Sequence, residues 1–208
     1  MNTNKKTHDL VMTAVFTAIM IVMTSVPFLG YIPIGTVRAT LVHIPVIIGA
    51  ILLGPKYGAF LGFVFGCISL WMNTFAPTAT SFVFSPFYSI GETGGNLFSL
   101  VICFVPRILI GVVAYYVYAG MKKITKQKEV LALAVSGIAG SLTNTILVMN
   151  LIYLLFKDSY ATAKNIPVKS LYGIILGIIG ANGVPEAIVA AIFTVVITKV
   201  LLRVKTTQ

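Results

Sequence analysis

Residues 36–71, TVRATLVHIPVIIGAILLGPKYGAFLGFVFGCISLW, hold two long apolar runs parted only by Gly54-Pro55-Lys56-Tyr57-Gly58. Glycine ends a helix and proline opens the next one, so the segment reads as a tight turn between two antiparallel spans. Arg38 and His43 begin the first run, and Gly58, Gly62 and Gly66 recur every four residues in the second. The fold that accommodates this pairing is a compact membrane bundle with polar chemistry at one end.

A helix needs about 20 apolar residues to cross a bilayer. Six stretches qualify, roughly 9–27, 38–54, 58–74, 95–119, 129–156 and 172–200. With 58% hydrophobic and 10% charged residues, the 208-residue chain is too apolar for a soluble domain. Backbone groups in lipid must be satisfied within their own segment, and the alternation of a barrel is absent, so these are helices. The expectation is an all-α integral membrane protein, with six transmembrane helices in a single domain over 1–208.

Orientation follows from the basic residues. Lys5, Lys6, Lys56, Lys122, Lys123, Lys126, Lys128, Lys199, Arg203 and Lys205 collect on one side, and Arg38, Lys157, Lys164 and Lys169 on the other. That bias makes both termini cytoplasmic. The net charge of +10 thereby reflects membrane insertion, and no aromatic-interleaved basic face points to nucleic acid. The short loops fit a bacterial cytoplasmic membrane. After Lys6 no small-residue cleavage site marks a signal peptide. Cys67 and Cys103 fall within spans, with neither a disulfide framework nor metal spacing.

The outer ends of the spans carry Arg38, Thr40, His43, Asn73, Thr74, Glu92, Asn96, Asn150 and Asn182, whereas the inner halves are mostly aliphatic. Polar side chains in a bilayer face the bundle interior or a cavity, so their convergence points to one outward-facing pocket; interfacial water is the alternative for any single one. Arg107 and Glu186 lie near mid-span after Pro106 and Pro185. A mutual ion pair offsets the cost of burying both; alternatively, Arg107 holds a substrate carboxylate. The uncharged loop 73–91, with Phe82, Phe84, Phe87 and Tyr88, reads as a lid, or with Trp71 as an interfacial belt. The glycine- and proline-rich loop 28–37 is a second candidate gate.

Ala14 and Ala18 form a flat strip in the first span, as do Gly58, Gly62 and Gly66 in the third and Gly173 and Gly177 in the sixth. Such strips let another helix approach closely. No Walker-type phosphate loop, His-Glu-x-x-His helix or Gly-x-Ser-x-Gly elbow occurs, which argues against ATP use and against an intramembrane enzyme. A stand-alone secondary transporter would show inverted repeats; only Pro106-Arg107 and Pro185-Glu186 hint at them.

Over essentially its whole length the chain resembles the substrate-binding S component of energy-coupling factor (ECF) vitamin transporters. The resemblance rests on size, six spans, long external loops and the Ala14-x-x-x-Ala18 strip. HIPVIIGAILLGPKYGAFLGFVFG, TSFVFSPFYSIGETGGN, FVPRILIGVV and NGVPEAIVAAI are most similar to the pantothenate-specific members. It implies a vitamin-binding subunit without cofactor or catalytic site of its own. Its partners would be a transmembrane T component, docked on Ala14 and Ala18, and two ATPase subunits that supply ATP hydrolysis. Pyridoxine and hydroxymethylpyrimidine are the alternative ligands. Pantothenate carries a carboxylate, an amide, two hydroxyls and a geminal dimethyl group. Asn73, Asn96, Asn150 and Asn182 would serve the amide and hydroxyls, Arg38 or Arg107 the carboxylate, and the 82–88 aromatics, Tyr88 included, the dimethyl group. Glu92 would accept a hydroxyl proton or point away.

Overall fold

The structure is a computed structural model and describes residues 3–26, 30–34, 37–91, 93–125 and 128–206, with backbone alone for 3–4, 31–39 and 204–206. Helix α1 (Thr3–Ser25) leads to a hairpin of β1 (Tyr31–Ile34) and β2 (Val37–Thr40), then to α2 (His43–Leu53) and α3 (Pro55–Phe75). A second short hairpin, β3 (Ser89–Ile90) and β4 (Thr93–Gly94), precedes α4 (Leu97–Ile124) and α5 (Glu129–Ala163). Helix α6 (Leu171–Ile178), a π-helical turn (Ile179–Gly183) and α7 (Val184–Thr206) make the last passage. Five stretches are long and apolar enough to cross a membrane, and α2 is apolar but shorter.

The Gly54-Pro55 punctuation behaves as its chemistry requires. Gly54 sits at φ 104°, strained for any side chain, and its N–H closes α2 on Ala50 O. Pro55 opens α3, where a missing N–H costs nothing.

The second span departs from expectation. Residues 38–54 do not form one helix: Val37–Thr40 pair antiparallel with Tyr31–Ile34, and α2 begins only at His43. The hairpin satisfies its backbone groups by pairing, and Leu41 N donates to Gly30 O at 2.9 Å. At eleven residues, α2 covers about 16 Å of a hydrocarbon core about 30 Å thick. It is nonetheless the axis of the bundle. Residues 43–51 are all buried, and α1, α3, α4, α5 and α7 all pack on it. A central helix that stops halfway leaves the outer part of the axis to other elements.

Two hydrophobic clusters follow from this. The inner one surrounds α2 with Ile47, Ile48, Leu61, Phe65, Ile110 and Leu133. The outer one gathers Phe82, Ile102, Val148, Ile152, Phe156 and Leu171. Helix α5 runs past its expected end at 156, which falls on a kink where Phe156 leaves helical dihedrals.

Helices α3 and α4 pack on the glycine ladder. A Cβ on Gly58 would sit 2.5 Å from Ala50 Cβ, one on Gly62 would overlap Arg107 O, and one on Gly66 would crowd the Phe104 ring. The Gly173/Gly177 strip behaves differently: neither glycine has anything within 4 Å of a would-be Cβ. That face of α6 is open, because only Leu171 and Ile175 of α6 turn inward.

Candidate functional site

A polar layer separates the two hydrophobic clusters, and it begins with Arg107. Pro106 lacks the N–H that would bond Ile102 O in an unbroken helix. Arg107 Nη1 supplies the replacement at 2.7 Å. The guanidinium is buried, with its Cζ 5.7 Å from the Phe65 ring centroid and 5.0 Å from that of Phe84, an arrangement that stabilises the cation. Proline and arginine therefore work as a local unit.

The expected Arg107–Glu186 ion pair does not form among the described residues. Glu186, also buried, accepts the Thr40 N–H on Oε1 at 2.8 Å and the Thr145 hydroxyl on Oε2 at 3.1 Å. It lies just past the π-helical turn, near the start of α7. Matching depth along two helices did not imply that the side chains face each other. Glu186 instead ties β2, α5 and α7 together.

The 73–91 loop is anchored along much of its length. Ser81 Oγ donates to Asn73 Oδ1 at 2.7 Å, Thr74 and Ser85 share a hydroxyl contact of 2.7 Å, and Ser99 Oγ donates to Phe82 O at 2.7 Å. A side chain at Gly95 would overlap Ser85 O. Phe82 is fully buried in the outer cluster, while Phe84 reaches Arg107. The loop is a seated plug, not an open lid. Trp71 and Phe87 are exposed, as belt residues would be, whereas Tyr88 is half-buried against the outer cluster.

The remaining expected site residues divide by what their side chains already do. Asn73 Nδ2 bonds Ser69 O at 2.8 Å, so both ends of its amide anchor local structure. Asn96 caps α4, accepting from Phe98 N at 2.8 Å in a capping box with Ser99. Asn150 Nδ2 turns back to Ile146 O at 2.8 Å. Asn182 lies half-buried in the π-helical turn, a distortion often found at functional sites. Arg38 pairs in register with Pro33, its side chain outside the described set, and Glu92 lies outside the described residues.

Thr145 and Ser141 joined this layer without being expected. Their spacing from Gly137, which faces Ala190 on α7, places all three on one face of α5, and that periodicity was readable in the sequence. On the opposite side of the bundle, Ala14 and Ala18 are exposed. They line a groove of about 820 Å³ between α1 and α3, together with Leu10, Lys56, Tyr57 and Phe60.

A helical membrane bundle with a buried polar layer beneath an outer plug defines a solute-binding membrane subunit. The chain belongs to the family described as ECF transporter, substrate-specific component, which matches residues 8–198. It is a multi-pass protein of the bacterial cytoplasmic membrane. A pantothenic acid transporter, PanT, of Lactococcus lactis subsp. cremoris is 38% identical over 96% of this chain and 96% of its own length. A pantothenate transporter, PanT, of Leuconostoc mesenteroides subsp. mesenteroides is 31% identical over 97% and 95%. Among solved structures, the S-component for biotin from an ECF-type ABC transporter shares the fold at a TM-score of 0.57. It is 21% identical, with 98% of this chain and 95% of that one covered.

Proposed function

We propose that this chain captures pantothenate from outside the cell and delivers it to an ATP-driven ECF importer. The observation that carries the reading is full-length similarity, 38% and 31%, to two transporters named for this vitamin. The site chemistry is compatible. A guanidinium is a rigid fork of donors suited to a carboxylate, and Arg107 lies between the two clusters with apolar surface on both sides. Phe84 and Phe65, both over the guanidinium, offer that surface to the two methylene carbons that adjoin the carboxylate. Arg38 is the second candidate for the carboxylate, and Asn182 for the amide.

Transport in this account requires partners, a transmembrane T component and two ATPase subunits; the chain itself binds no nucleotide and carries no cofactor. Ala14 and Ala18 are the docking strip, since small exposed residues beside a groove let a partner helix approach closely. Equilibrium binding of pantothenate to the purified chain, without any ATPase present, tests the reading.

A further inference from the structure

We infer that His43, with Ser141 and Asn144, forms the inner floor of the substrate site and hydrogen-bonds the hydroxyl-bearing end of the ligand. The inference rests on the pantothenate reading and assigns contacts within it. Three observations carry it: unpaired buried groups, a common depth, and the architecture around α2.

His43 is 1% exposed and Ser141 fully buried, yet neither ring nitrogen of His43 nor the Ser141 hydroxyl has a hydrogen-bond partner among the described residues. Asn144 Oδ1 is likewise shut off from solvent and unpaired. Leaving a buried polar group unsatisfied costs about 1–3 kcal/mol each, and folded proteins rarely retain several without a use for them. An aliphatic residue at 43 would remove that cost. A group from outside the fold that supplies the missing partners explains all three.

The three groups lie within one helical turn of depth. Ile47 of α2 packs against Gly140 of α5. The two helices run antiparallel, so one turn outward brings His43 on α2 and Asn144 on α5 to the same depth. Ser141, three residues from Asn144, lies between. His43 and Phe65 each stand eleven positions from the Gly54 turn, on adjoining helices that start there. Phe65 is one of the two rings on Arg107. His43 therefore lies at the depth of the guanidinium, at the N-terminus of a central helix that has no side-chain cap. The β1–β2 hairpin held by Glu186 leads directly into it.

The chemistry selects the ligand group. A neutral imidazole has one donor and one acceptor, a serine hydroxyl the same, and an amide oxygen accepts. This is a neutral set matched to hydroxyls, complementary to the cation at Arg107. A ligand with a carboxylate at one end and hydroxyls at the other would span the two.

The test uses the purified full-length chain, with pantothenate and its analogue lacking the secondary hydroxyl as the two ligands. Wild type should prefer pantothenate by about tenfold or more, each tenfold being 1.4 kcal/mol. His43→Leu should weaken pantothenate binding about tenfold while leaving the analogue within about twofold, so that the preference collapses. His43→Gln, which keeps a donor and an acceptor, should restore part of it. His43→Leu without ligand should melt no lower than wild type, because an unsatisfied group has been removed. If His43→Leu does not fold, Ser141→Ala, which deletes one oxygen, carries the same comparison. Equal weakening of both ligands would make these residues structural. Unchanged discrimination would mean that water alone satisfies them. Either result overturns the inference while leaving the pantothenate reading intact; wild type that binds no pantothenate overturns that reading instead.

Discussion

The carboxylate of Glu186 receives the backbone N–H of Thr40 at 2.8 Å, joining residues 146 apart in the chain. With Thr145 on its other oxygen at 3.1 Å, Glu186 fastens the outer hairpin to α5 and α7 directly above the central helix. Glu186→Ala should remove this fastening, leaving the part-buried Thr40 N–H without its acceptor and the Thr145 hydroxyl with only Ser141 O at 3.4 Å, at a cost of about 1–3 kcal/mol. The expected outcome is a lower melting temperature and faster ligand release, read as the dissociation rate of labelled ligand in detergent. Glu186→Gln, which keeps an acceptor, should fall between that variant and wild type. A Glu186→Ala protein that melts and releases ligand like wild type would show that the hairpin is held by other contacts.

Glycine substitutions on α3 and α6 should have opposite signs. Gly62→Ala places a Cβ against Arg107 O and Ile108 Cα, both backbone, so α3 and α4 must move apart, at about 1–3 kcal/mol for overpacking. Gly173→Ala meets nothing within 4 Å and should gain up to about 1 kcal/mol from helix propensity. Thermal unfolding of the two variants side by side measures both.

The plug should loosen from its Ser81 anchor. Ser81 Oγ bonds Asn73 Oδ1 and accepts the Thr78 N–H at 2.9 Å. Ser81→Ala should raise hydrogen exchange across 76–88 and destabilise by about 1 kcal/mol, the usual worth of such a bond. Exchange in α5 should stay unchanged.

Ala14→Trp should separate binding from transport. The side chain would fill the groove between α1 and α3 without touching the polar layer, so ligand affinity should hold while uptake and co-purification of the partner subunits fail. Loss of affinity would instead place Ala14 in support of the binding site.

The spans were legible because length and hydrophobicity alone decide whether a segment lies in lipid, and Gly54-Pro55 can only punctuate. The outer hairpin was not. Val37 to Thr40 lead straight into an apolar run, and nothing local says that they pair with Tyr31–Ile34 and not with their own helix. Arg107 and Glu186 show the same limit at the site. Sequence position gives depth but not the direction in which a side chain points. The carbonyl freed by Pro106 claims one N–H of Arg107, and a threonine from each of two distant elements claims Glu186. Asn73 and Asn96 read as pocket residues from their depth, yet their immediate neighbours Ser81, Phe98 and Ser99 use them as an anchor and a cap.

Binding by the isolated chain tests the central claim most directly. Purified in detergent without T component or ATPase subunits, it should bind radiolabelled pantothenate at nanomolar to low micromolar concentration. Unlabelled pantothenate should compete, and pyridoxine, hydroxymethylpyrimidine and biotin should not. Tighter binding of one of those three, or no binding of any, would contradict the account.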